Sequence, residues 1–180
     1  MSLFTNNQES IRNKSSLVIY FSHTGENYMA DGIRNIDKGN TEVVAEKIQD
    51  IVNADLFKVE SINKYPYNYH ECCEVAKKEL NENARPELIN YLDTIADYEV
   101  IYIGGPVWWG HLPMPMFTLL EKLNFEGKIV KLFTTHEGSG LGDCPKDIER
   151  ICKGANIQKG LAIRGSNREN SERELENWIK

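Results

Sequence analysis

Leu17-Val18-Ile19-Tyr20-Phe21 is a short unbroken apolar run that empties directly into Ser22-His23-Thr24-Gly25. A run this short, with no polar alternation, is the pattern of a strand covered on both faces. That restricts the chain to folds that lay helices on either side of a sheet. Farther on, Gly39-Asn40-Thr41 opens the amphipathic stretch Glu42–Val52. A strand, a small-residue turn and a helix start are the parts of a phosphate cradle. The helix N-terminus offers unpaired N–H groups and a partial positive charge, and Ser/Thr hydroxyls add donors. The hydroxyl loop contains no Lys or Arg, so dipoles and hydroxyls would hold the anion. Such a site suits a terminal monophosphate better than a nucleoside triphosphate with its magnesium.

Strands and helices alternate along the rest of the chain. A helix is expected over Asn40–Val52, with Asn40 as N-cap and Val44, Ile48, Ile51 and Val52 on one stripe. Ala54–Val59, Tyr98–Ile103, Lys128–Phe133 and Gly160–Ile163 read as further strands. Pro113 suits the first residue of a helix that Gly127 ends, and Pro145 opens another that buries Ile148 and Ile151. Ser171-Glu172-Arg173-Glu174 has the form of a capping box for a last helix, with Trp178 in the core. Five strands alternating with helices imply a single α/β domain over residues 1–180, its parallel sheet wound with helices on both faces. Two stretches are too long for plain connections, Glu26–Lys38 and Ser61–Arg85. In the second, Cys73, Ala76, Lys77 and Leu80 suggest a helix behind the tyrosine-rich Tyr65–Tyr69, which reads as packing for that segment, with a lid over a bound ligand as the alternative.

Charge and composition narrow the function. A net charge of −6 argues against general nucleic-acid affinity, which needs a basic footprint. No apolar run approaches the ~20 residues that span a bilayer. The stretch 1–14 is a polar extension without the apolar core of a signal peptide, so a cytoplasmic location is expected. Cys72, Cys73, Cys144 and Cys152 lack metal-ligand spacing and read as free thiols, with no metal expected. Cys144 to Arg150 has the Cys-x5-Arg spacing of a phosphatase loop. Pro145 removes a needed N–H there, and Asp147 and Glu149 would repel the anion, so the match is chance.

In an open parallel sheet, ligands bind beyond the carboxyl ends of the strands. Three post-strand loops carry unusual chemistry: the hydroxyl cradle, then Pro106-Val107-Trp108-Trp109-Gly110, then the Gly-rich Thr134–Gly142. Together they make a site for a flat, conjugated, monophosphorylated ligand.

These residues resemble the flavodoxin-like family, most of all its short FMN-binding branch with a Trp-Trp-Gly isoalloxazine loop. Ser22-His23-Thr24-Gly25 with Gly39-Asn40-Thr41 is similar to that family's Ser-x-Thr-Gly-Asn-Thr phosphate loop, split by an insertion. Gly105–Gly110 with Pro113-Met114-Pro115 resembles its isoalloxazine loop. The resemblance implies a three-layer sandwich with strand order 2-1-3-4-5 and non-covalent FMN. It implies that Ser22, His23, Thr24, Gly25, Asn40 and Thr41 hold the phosphate, with Asn27 beside them on the insertion. It puts Pro106, Val107, Trp108, Trp109 and Gly110 along the ring, and Thr135, His136, Glu137, Gly138 and Gly140 at its pyrimidine edge. No tyrosine stands in Thr134–Gly142, so the stacking that long-chain relatives place there is missing and one flavin face is expected to be open. The implied function is electron transfer with a redox partner protein. The alternative is an NAD(P)H-dependent quinone or FMN oxidoreductase. A homodimer stays open, because tryptophans also favour subunit contacts.

Overall fold

The computed structural model describes residues 15–180, and the polar stretch 1–14 lies outside the described residues. Strand β1 (Ser16–Tyr20) is followed by an antiparallel hairpin, β2 (Gly25–Met29) and β3 (Gly32–Ile36), that stands apart from the main sheet. The main sheet then collects β4 (Asp55–Lys58), β5 (Val100–Pro106) and β6 (Ile129–His136). Its last position is shared by β7 (Asn156–Ile157) and β8 (Leu161–Arg164), both parallel to β6. Every pairing in this sheet is parallel, in the order β4-β1-β5-β6-β7. By position that is 2-1-3-4-5, as expected.

The helices are α1 (Asn40–Val52), α2 (Tyr69–Asn81), α3 (Met114–Leu120), α4 (Cys144–Ile151) and α5 (Glu172–Ile179). Alternation along β1 sorts the core into two layers. Val18 and Tyr20 pack with Tyr102 and Phe133 against α1 and α5, through Val44, Ile48, Leu175 and Ile179. Leu17, Ile19 and Phe21 face the other side, where Met116, Phe117, Leu119 and Ile148 from α3 and α4 cover them. An unbroken apolar strand is stable only with both faces covered, and here both are.

Local expectations fail where tertiary contacts decide. Asn40 is not the N-cap; that position is Gly39, and the cap comes from elsewhere in the chain. α3 ends at Leu120, well before Gly127, because the chain tightens into 3-10-like turns that carry Phe125 into the core. The capping box at Ser171 does not form, since its hydroxyl donates back to the Arg168 carbonyl at 2.7 Å. Trp178 is half-buried rather than fully internal, and its indole N–H donates to the Lys159 carbonyl at 2.7 Å. The insertion at Glu26–Lys38 is the β2–β3 hairpin, and the one at Ser61–Arg85 contains α2.

Candidate functional site

The carboxyl ends of β1, β5 and β6 lie side by side, and their loops border one cavity of about 630 Å³. Its first wall is the start of α1. Helix geometry leaves the first N–H groups without intrahelical acceptors. Ser22, in the loop after β1, supplies one acceptor from outside: Glu42 N–H donates to Ser22 Oγ at 3.0 Å. The approach is close enough that residue 39 has to be glycine. A Cβ there would stand 2.1 Å from Ser22 Oγ and 2.8 Å from the His23 carbonyl oxygen. Asn40 and Thr41 follow directly and line the cavity. The Thr41 hydroxyl lies 2.7 Å from the Thr135 hydroxyl across the site. The Asn40 amide nitrogen reaches Met29 Sδ at 3.5 Å. Asn40 Oδ1 and His23 Nε2 are buried with no hydrogen-bond partner among the described residues. Burial also lowers the His23 pKa, which keeps its ring neutral at neutral pH.

The second wall is the aromatic loop. Trp108 N–H donates to the His111 carbonyl at 2.8 Å and His111 N–H returns to the Trp108 carbonyl at 3.1 Å. The central residues Trp109 and Gly110 have φ of +53° and +88°, the sign pattern of a type I′ turn. A left-handed backbone is costly for a bulky residue and persists only where surroundings enforce it. Here Gly110 O accepts from Asp143 N–H at 2.7 Å, and His111 Nδ1 lies 2.8 Å from Asp147 Oδ2 on α4. The Trp109 indole N–H donates to the Cys73 carbonyl on α2 at 3.0 Å. Trp108 wedges inward, edge-on to Tyr65, Phe21 and His23 at centroid distances of 4.9, 5.2 and 5.8 Å. Trp109 stays 49% exposed.

The third loop borders the cavity and is tied down by its own contacts. The Glu137 carboxylate accepts from Ser166 N–H at 2.5 Å and from Ser166 Oγ at 3.1 Å. Gly138 N–H donates to His136 Nδ1 at 2.9 Å, and burial lowers the His136 pKa. A fourth wall comes from the two inserted segments. Glu26 on the hairpin accepts from Tyr69 N–H at 2.8 Å and from Asn68 Nδ2 at 3.0 Å, so it caps α2 and joins the two insertions. This places Tyr28, Tyr69, His70, Cys72, Cys73 and Glu74 on the cavity. The tyrosine cluster carried that signal in part. Tyr65 is indeed packing, whereas Tyr69 is cavity wall.

Residues 15–180 match the family model described as flavodoxin. The chain belongs to the flavodoxin family. A candidate flavoprotein from Bacteroides uniformis is 27% identical over 90% of this chain and 97% of its own, with a TM-score of 0.72. One from Bacteroides eggerthii is 25% identical over 93% and 96%, with a TM-score of 0.74. A flavoprotein in complex with FMN from Lactobacillus acidophilus is 23% identical over 93% and 99%, at a TM-score of 0.63, a likeness of fold. No curated protein matches.

Of the residues singled out in the sequence, His23, Asn27, Asn40 and Thr41 line the cavity, as do Pro106, Val107, Trp108, Trp109 and Gly110. Thr135, His136, Glu137 and Gly138 line it from the third loop, together with Ser139. Ser22, Thr24, Gly25 and Gly140 are not on its wall. Ser22 acts one step back as the α1 cap, and Gly140 O accepts from Thr134 Oγ1 at 2.9 Å. Cys144 is fully buried and its thiol is pushed up to about 12, so it is no nucleophile. No helix among the described residues is long and apolar enough to cross a membrane.

Proposed function

We propose that this chain is an FMN-binding redox protein of the flavodoxin type, which passes electrons through a non-covalent cofactor. The observation that carries the reading is the convergence of the α1 N-terminus, the Trp108-Trp109-Gly110 turn and the third loop on one cavity. A capped helix start facing the cavity is an anion site, and the loops beside it offer an aromatic surface and backbone polar groups. The residues fit the group. His23 Nε2 and Asn40 Oδ1 are buried polar atoms that need partners, the amide oxygen suiting a ribityl hydroxyl, and Asn40 and Thr41 at the α1 N-terminus line the cavity. The FMN bound by the Lactobacillus relative supports the choice of ligand.

In this reading Asn40 and Thr41 hold the phosphate, Trp108 and Trp109 flank the ring system, and residues 135–138 meet its polar edge. FMN, when bound, supplies one- and two-electron transfer, and the protein binds, orients and tunes it. Glu137 has its carboxylate turned to Ser166, with Arg164 at 3.8 Å, which moderates its charge at the site. Absorbance titration of apo-protein with FMN tests the reading. A saturable, shifted flavin spectrum with quenched fluorescence is expected, and a folded protein that leaves FMN unchanged overturns it.

A further inference from the structure

At the margin of the main sheet, residues 158–160 separate β7 from β8, and the gap borders a second cavity of about 430 Å³. This cavity lies away from the first. Lys131 on its wall and His136 at the cofactor cavity stand about 16 Å apart along β6. Lys131 is only 3% exposed. Its ammonium donates to the Trp178 carbonyl at 2.9 Å and to the Ile179 carbonyl at 3.4 Å, and it lies 5.0 Å from the Trp178 ring centroid.

All of these partners are uncharged. Lys131, Lys159 and Lys180 line the cavity against one carboxylate, Glu174, and none of the three lysines forms an ion pair among the described residues. A buried charge without a counter-ion is costly, and the carbonyl end of α5 offsets only part of that cost. Burial pulls the Lys131 pKa down to about 8, which still leaves the amine largely protonated at neutral pH. An oxyanion gains more against such a desolvated ammonium than against an exposed lysine, through a charge-assisted hydrogen bond in a low dielectric. The rest of the wall selects among anions. Gln158 and Asn177 offer side-chain amides, whereas Leu161 and the Trp178 indole present apolar surface. That mixture suits a carboxylate with a short apolar body. Glu174 opposes a dianion more than a monoanion, and inorganic phosphate would leave the apolar surface uncovered.

We propose that this second cavity binds a small organic monocarboxylate, its oxygens on the buried Lys131 and its apolar body against Leu161 and Trp178. Lys159 and Lys180, both exposed, draw the anion to the mouth. The site uses none of the flavin loops, so the inference stands apart from the FMN reading.

The test uses the full chain incubated with FMN, and equilibrium dialysis at pH 7 against benzoate, its uncharged analogue benzamide, and inorganic phosphate. Benzoate is expected to bind at a single site, about tenfold or more tightly than either of the others. Lys131→Met should bring benzoate down to the level of benzamide. That change also removes bonds to α5, so the exposed Lys159→Gln serves as a second variant. It should weaken benzoate about two- to fivefold and leave benzamide unchanged. FMN uptake should be the same in the wild type and both variants. The inference is overturned by an absence of saturable benzoate binding, by benzamide or phosphate binding as tightly as benzoate, or by a benzoate affinity that neither variant lowers. A wild-type chain that takes up no FMN overturns the cofactor reading alone.

Discussion

Thr41 Oγ1 and Thr135 Oγ1 lie 2.7 Å apart with both residues buried, so the start of α1 and the end of β6 share one hydrogen bond. Removing one hydroxyl strands the other in a buried place, which costs about 1–3 kcal/mol. Thr41→Val and Thr135→Val should each destabilise by that order. The double variant should be close to either single one rather than to their sum. Urea unfolding of the four proteins measures the coupling, and strict additivity would show that the two hydroxyls act independently.

Gly39→Ala should damage phosphate binding selectively, because its Cβ would drive Ser22 Oγ and the His23 carbonyl apart. FMN affinity should fall about tenfold or more, equivalent to about 1.4 kcal/mol. Riboflavin has no phosphate and should bind the wild type more weakly than FMN, yet lose little on the same substitution. Fluorescence titration with both flavins decides the point. Parallel losses for the two would place the phosphate elsewhere.

His111→Leu leaves the Asp147 carboxylate buried without its partner and is expected to destabilise by about 2–3 kcal/mol. The same change releases one anchor of the turn that holds Trp109, so the spectrum of bound flavin should shift. Adding Asp147→Leu should recover part of the stability but not the spectrum. Thermal melts and visible absorbance of the three proteins check both halves.

Lys131 is buried in β6, and its ammonium donates to the Trp178 carbonyl at 2.9 Å. Burial pulls its pKa down to about 8 from an ordinary 10.5. Between those two values the unfolded chain binds more protons than the folded one, so stability should rise with pH across that window. In Lys131→Met this rising component should be absent. Urea unfolding between about pH 7 and 10, read as the wild-type minus variant difference, reports the slope and its sign.

The main sheet was legible because β1 and the first half of β5 are buried on both faces and read as unbroken apolar runs, and β6 keeps enough of the pattern around Lys131 to be recognised. The cavity loops were legible because their chemistry sits directly after those strands. The rest depended on distant partners. Gly39 takes the cap position because Ser22, in another loop, provides the acceptor for Glu42. The Tyr28–Tyr69 wall depends on Glu26 capping a helix more than forty residues away. Neither leaves a periodic trace in the sequence, and residue type alone does not separate Tyr65, which packs inward, from Tyr69, which does not.

The divided last position of the sheet bears on how the molecule behaves among its own copies. A long, flat, bare strand at a sheet margin is a template on which other chains add and fibres grow. Here that margin offers two paired residues of β7, then a break at 158–160, then the four residues of β8. Inside the break, the Lys159 carbonyl is already occupied by the Trp178 indole. The opposite margin, β4, is four residues long, and its Lys58 sits 3.1 Å from Glu42 and 3.9 Å from Glu60. Both borders of the sheet are thus too short to seed a neighbour, which protects an otherwise strongly apolar β-core from self-templating at high concentration.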